Sequence, residues 1–129
     1  MSGVQGFDPD VLDQWRGERE VQVETSAGPG APVHRTIIWI VVDVAGRALV
    51  RSFRGPTARW YREATAAGRG AIVTGGQPVE VVFEPATDAD RVAACSAELA
   101  RKYAGDPATP KMLRDEVLDR TLELRVSVA

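Results

Sequence analysis

The sequence predicts an α+β domain: a six-stranded antiparallel barrel with helices packed on its outside. Three observations carry this. Six segments have strand character, and most of them follow one another through turn signals such as Ala45-Gly46 and Gly75-Gly76. A βαβ succession with long crossovers, as a parallel sheet requires, is absent. With 129 residues the chain is long enough to bury a core of its own, so residues 1–129 are expected to form one domain.

The elements follow in order. Asp8-Pro9 opens a short helix, with Asp8 as its cap and Val11, Leu12 and Trp15 on one face. Trp15 is expected to pack and close one end of the barrel. Arg19 to Thr25 alternates, Val21 and Val23 on one side and Gln22 and Glu24 on the other, as a half-buried strand does. Ser26 to Pro32 is a Gly/Pro/Ala loop. Arg35 to Asp43 is the strongest strand signal; it is apolar on both faces and therefore reads as a central strand. Ala48 to Phe53 is its hairpin partner.

A helix follows Gly55-Pro56 and ends near Gly68, a residue suited to a left-handed terminus. Ala71 to Thr74 and Val79 to Glu84 form a hairpin around Gly75-Gly76. Thr87 caps the next helix, along which Val92, Ser96, Leu99 and Tyr103 recur until Gly105 stops it. Thr109-Pro110 opens a shorter helix through about Leu118. Thr121 to Val128 closes the chain as a strand with Leu122, Leu124, Val126 and Val128 facing inward. The tally is six strands and four helices.

Composition narrows the function. The chain is 44% hydrophobic and 26% charged, as ordinary globular proteins are. Its net charge of −2 argues against general nucleic-acid binding. A single Cys95 rules out an intrachain disulfide and a cysteine-rich metal site. The longest strongly apolar run, Ile37 to Val42, is far too short to span a bilayer, and no secretory signal opens the chain. A soluble, cytoplasmic protein is expected. His34, the one histidine, lacks the companions that a metal site or a Ser-His-Asp arrangement needs, and it reads as structural.

Charge is unevenly placed. Arg47 to Arg69 holds six arginines and one acid, a local +5, while the rest of the chain sums to −7. The cluster coincides with the expected helix start after Gly55-Pro56, where free N–H groups and the helix dipole already favour an anion. Arg54 and Arg59 are within reach of an anion there, so a phosphate or carboxylate ligand is expected.

The segment Val23 to Asp43, a strand ending in threonine, a glycine-containing loop and then Arg35-Thr36-Ile37-Ile38-Trp39, resembles the opening of deazaflavin-dependent nitroreductase-like proteins. Those belong to the split β-barrel, pyridoxamine phosphate oxidase-like group. An uncharacterised bacterial family of that fold is more similar still: it carries Arg-Ser-x-Arg-Gly followed by Arg/Gly-Trp-Tyr, here Arg51, Ser52, Arg54, Gly55, Arg59, Trp60 and Tyr61. The resemblance covers roughly residues 19 to 125.

What the resemblance implies is a split-barrel homodimer holding FMN or a deazaflavin coenzyme at the subunit interface. Arg35, Arg51, Ser52, Arg54, Gly55, Arg59, Trp60 and Tyr61 are then the cofactor-side residues. Arg51 and Ser52 point to opposite faces of a strand, so only one of them can face a given ligand. If Leu49 and Phe53 fill the barrel, Arg51 is a buried charge on their side and needs a partner, and Ser52 lies outside with Val50. The nitroreductase-like loop usually has Arg or Lys and a serine beside its glycine, whereas Ser26 to Pro32 has no base. Trp39 reads as core packing. The implied activity is hydride transfer to a small molecule by an oxidoreductase; the alternative is a cofactor-free, small-molecule-binding or accessory split-barrel protein. No catalytic residue is named by either reading.

Overall fold

The computed structural model describes residues 6–54 and 57–127. Helix α1 (Pro9–Gly17) leads into strands β1 (Val21–Ser26), β2 (Val33–Ile38), β3 (Val41–Val42) and β4 (Ala48–Arg51). Helix α2 (Arg59–Ala67), strands β5 (Arg69–Thr74) and β6 (Gln77–Pro85) and helix α3 (Ala89–Lys102) follow. The short helices α4 (Thr109–Met112) and α5 (Asp115–Leu118) precede the last strand, β7 (Thr121–Val126). All pairings are antiparallel, in the order β2-β1-β5-β6-β7-β4-β3.

That order shows why the sheet curls. Strands β2 and β3 occupy opposite edges, yet only Trp39 and Ile40 separate them in the chain. Seven strands laid flat put their edges about 29 Å apart. The three Cα steps from Ile38 to Val41 reach at most about 11 Å. The sheet therefore bends until its edges approach, and the result is a half-barrel. The residues Arg35 to Asp43 are accordingly not one central strand but two edge strands joined by a crossover, which makes seven strands among the described residues where six were expected. Apolarity on both faces arises because Ile38, Ile40 and Val42 fill the barrel while Val41 packs outside it.

Two cores result. The concave side gathers Val23, Ile40, Val50, Ile72, Val81 and Leu122 around Trp15 of α1 and Trp60, Tyr61 and Ala64 of α2. Helix α2 thus packs into the open side of the half-barrel instead of onto its outside. The outer cluster places Cys95, Leu99 and Tyr103 of the α3 region against Val41 and Leu49. Strand β7 is central, with Thr121 and Glu123 buried as well as Leu122 and Leu124, so its expected one-sided alternation is absent.

Local chemistry explains the element ends. Asp8 caps α1 by accepting from the Asp10 N–H at 2.8 Å. Asp88, not Thr87, caps α3, accepting from the Arg91 N–H at 3.1 Å. The expected single helix through Leu118 is broken into α4 and α5, giving five helices among the described residues where four were expected. Gly75 and Gly76 have φ of 64° and 99°, the left-handed pair that a two-residue hairpin demands between Thr74 and Gln77.

Candidate functional site

The basic segment of the sequence borders an open cleft of about 680 Å3. Thr36, Ile37 and Trp39 come from the edge strand and crossover, Phe53 and Arg54 from the segment that follows β4, Thr57 and Ala58 from just before α2, and Arg59 and Trp60 from its first turn. The Ala58 N-cap provides no side-chain hydrogen bond to α2, and no acid lies in that helix's first turn. The first N–H groups and the positive end of the helix dipole are left for a ligand. Among the described residues, neither the Arg54 nor the Arg59 guanidinium is hydrogen-bonded or ion-paired, and both residues are exposed. Lys111 and Arg114 add positive charge beside the Phe53 ring, at 5.8 and 6.0 Å. Of the two acids lining the cleft, Asp106 is already ion-paired with Arg19.

The residues expected to face a cofactor separate into three groups. Arg54 and Arg59 meet at the cleft. Arg35 is exposed on β2 and bonds Glu24 across the β1–β2 pair, its Nε 2.9 Å from Oε2. Trp60 also lines the cleft, but Trp60 and Tyr61 are largely buried in the concave core, and Ser52 is buried too. Gly55 and the expected helix start at Gly55-Pro56 lie outside the described residues.

Arg51 borders the cleft from beneath, only 2% exposed. Leu49 and Arg51 face α3, whereas Ala48 and Val50 fill the barrel. The Arg51 Nε donates to Thr121 Oγ1 at 2.9 Å, Nη1 to Ser96 Oγ and the Met112 carbonyl at 2.9 Å each, and Nη2 to the Val92 carbonyl at 3.1 Å. Among the described residues no carboxylate pairs with it. Burial lowers its affinity for its proton, and its charge is met by neutral acceptors alone.

Trp39 does more than pack. It stacks on Tyr103 with ring centroids 3.8 Å apart, and it forms part of the cleft wall.

His34 has a partner after all. Cross-strand neighbours Thr25 and His34 both turn toward α2, where Glu63 is nearly buried. The His34 Nδ1 lies 3.2 Å from each Glu63 oxygen, and the Thr25 hydroxyl donates to Glu63 Oε1 at 2.9 Å. Burial works against the Glu63 charge, but Thr25, His34 and the nearby Arg59 outweigh it and hold the carboxyl below its ordinary range. No group of three or more potential metal ligands occurs among the described residues. Nor, among them, is any helix long and apolar enough to cross a membrane.

Residues 11–124 match the bacterial family described as "Uncharacterized protein conserved in bacteria (DUF2255)". The chain belongs to that family. Its half-barrel is similar to solved split-barrel-like structures. One is the conserved hypothetical protein Rv2991 from Mycobacterium tuberculosis: TM-score 0.63, 14% identity, 99% of this chain and 84% of that one covered. Another is HutZ, the heme storage protein from Vibrio cholerae, with TM-score 0.62, 13% identity and coverage of 96% and 92%. A third is Atu2129, of unknown function, from Agrobacterium tumefaciens str. C58: TM-score 0.58, 11% identity, and coverage of 98% and 58%. No curated protein matches the chain in sequence. At such identities the similarity carries the fold.

The DUF2255 chain holds two further features that sequence reasoning missed. Lys102 donates to the Trp15 and Ile40 carbonyls at 2.8 and 2.7 Å, tying α1 to the edge crossover, and burial lowers its pKa to about 8. On the outer face Arg91 bonds Asp88, Glu84 and Glu123, and Arg125 bonds Glu84. Sequence spacing hints only at the Arg91–Asp88 contact, three residues apart.

Proposed function

We propose that the cleft at the start of α2 is an anion-holding ligand site and that its ligand is a flavin-type cofactor, FMN or a deazaflavin coenzyme. One observation carries this reading: Arg54 and Arg59 stand uncommitted at an uncapped helix start, on a cleft of about 680 Å3 whose other walls include Trp39 and Phe53. That volume suits a cofactor-sized molecule. The donor set fits the group: two guanidiniums and free N–H groups for a phosphate, apolar rings beside it for a planar heterocycle. When bound, such a cofactor supplies hydride transfer, which needs no acid–base dyad from the protein. Arg54 and Arg59 then hold the phosphate end, Trp39 and Phe53 cover the ring and exclude water, and Arg51 adds positive potential from below. A second copy of the chain, seated against the exposed Val33 and Ile37 of edge strand β2, is part of the same proposal.

A second reading, a cofactor-free binding or accessory protein, is favoured by the Ser26 to Pro32 loop, which has no base, and by the burial of Trp60 and Tyr61. HutZ is a heme storage protein. His34, the only histidine here, does not line the cleft, so this cleft offers heme no imidazole. The experiment is titration of the purified protein with FMN and with a deazaflavin coenzyme, followed by absorbance and by light scattering for the dimer. Saturable binding of either supports the first reading. Binding of neither leaves the cofactor-free protein.

A further inference from the structure

The Thr25–His34–Glu63 cluster sits directly behind the cleft. On β2, alternate residues His34, Thr36 and Ile38 share a face, and the latter two line the cleft, so His34 stands about 7 Å from its wall. On α2, Arg59 and Glu63 are one turn apart on the same face, and Arg59 lines the cleft. An arginine and a glutamate at that spacing are close enough to pair, more weakly in this order than with the acid first. Here they do not: His34 and Thr25 occupy the Glu63 carboxylate, and Arg59 makes no hydrogen bond among the described residues.

We propose that His34 and Thr25 are positioning residues that hold Glu63 off Arg59, leaving the Arg59 guanidinium to an anion. This rests on the reading of the cleft as an anion site. The charged groups facing Glu63 are His34 from β2 and Arg59 from its own helix, with the neutral Thr25 hydroxyl from β1. Strands β5 and β6, also packed on α2, bring Ile72, Val81 and Phe83 to the same core. With the carboxylate held by these two side chains, the Arg59 guanidinium faces the cleft; released from them, Glu63 is one helical turn from Arg59 and competes with an anion for it.

Sulfate is the probe, because its charge is constant near neutral pH. The double variant His34→Ala/Thr25→Val is expected to bind it about fivefold more weakly than the native protein, and adding Glu63→Gln to that variant restores the affinity. Circular dichroism checks that each variant is folded. A folded double variant that binds sulfate as tightly as the native protein overturns the proposal, and so does a loss that Glu63→Gln leaves unrepaired. A native protein that binds no sulfate removes the anion site, and with it the role given to Arg59.

Discussion

The ring of Tyr103 lies flat on that of Trp39, 3.8 Å between centroids and 3° from parallel, and its hydroxyl donates to the Arg19 carbonyl at 2.7 Å. Trp39 is the residue at which the chain crosses between the two sheet edges, so the end of α3 clamps the point where the half-barrel is held bent. Tyr103→Phe keeps the stack and loses one hydrogen bond, at a cost of about 1 kcal/mol. Tyr103→Ala also opens a cavity and is expected to cost about 3–5 kcal/mol. Urea unfolding of both variants checks the ranking; equal losses would mean that the hydroxyl, not the stack, holds the crossover.

Lys102, Cys95 and Tyr103 together shape the alkaline stability profile. Burial lowers Lys102 from 10.5 to about 8, so between those values the unfolded chain binds a proton that the folded one has shed, and stability rises with pH. Burial raises Tyr103 from 10.0 to about 12, so above about pH 10 the folded chain keeps a proton that the unfolded one loses, and stability falls. Burial also raises Cys95 from 9.0 to about 11, so above about pH 9 the thiol offsets the Lys102 gain. Thermal melts should climb from about pH 8 to 9, level off, and fall above about pH 10. Lys102→Met should flatten the rise and Tyr103→Phe the fall; a steady decline from pH 8 in the native protein contradicts both assignments.

Arg51 joins β4 to β7, α3 and the end of α4 through neutral acceptors. Lysine concentrates its donors on one nitrogen and cannot span all four, so Arg51→Lys is expected to cost about 1–3 kcal/mol. Arg51→Ala leaves a cavity and unpaired carbonyls and should cost about 3–5 kcal/mol. Denaturation midpoints decide, and an unaffected Arg51→Lys variant would show that the fork geometry is dispensable.

Arg54 and Arg59 are exposed and uncommitted, so replacing both with alanine should change stability by less than about 0.5 kcal/mol. If they hold a phosphate, each lost contact weakens FMN or deazaflavin binding by roughly ten- to a hundredfold. Calorimetric titration of the native and double-variant proteins gives the comparison. Equal affinities would relocate the phosphate.

Trp15 is fully buried in the concave core, edge-on to Phe7 at 4.9 Å, and its Nε1 finds no acceptor among the described residues. Trp15→Ala is expected to cost about 3–5 kcal/mol, and Trp15→Phe distinctly less, since no hydrogen bond is given up. An unchanged midpoint for Trp15→Ala would mean that α1 contributes little to the core.

Much of the fold is legible in the residues, because strand alternation and turn chemistry are local. Gly75-Gly76 and Asp8-Pro9 mark their turn and cap unaided. The Arg35 to Asp43 run misleads for a physical reason: two edge strands joined through a buried crossover are as apolar on both faces as one central strand. Of the candidate site, Arg54 and Arg59 are visible as charge at a helix start. The partners of Arg51 lie 41 to 70 residues away, and Glu63 lies 29 residues from His34, so no spacing rule brings them together. Trp39 is equally ambiguous in sequence, since one ring face packs on Tyr103 while the residue also walls the cleft.

The central place of β7 sets the order in which the molecule can be completed. It pairs with β6 on one side and β4 on the other, so the ladder β2-β1-β5-β6 and the β3–β4 hairpin share no hydrogen-bonded strand until residues 121–126 arrive. The sheet closes only when residues 121–126 pair on both sides, which ties the two pieces into a single cooperative unit and leaves each with an open edge until then.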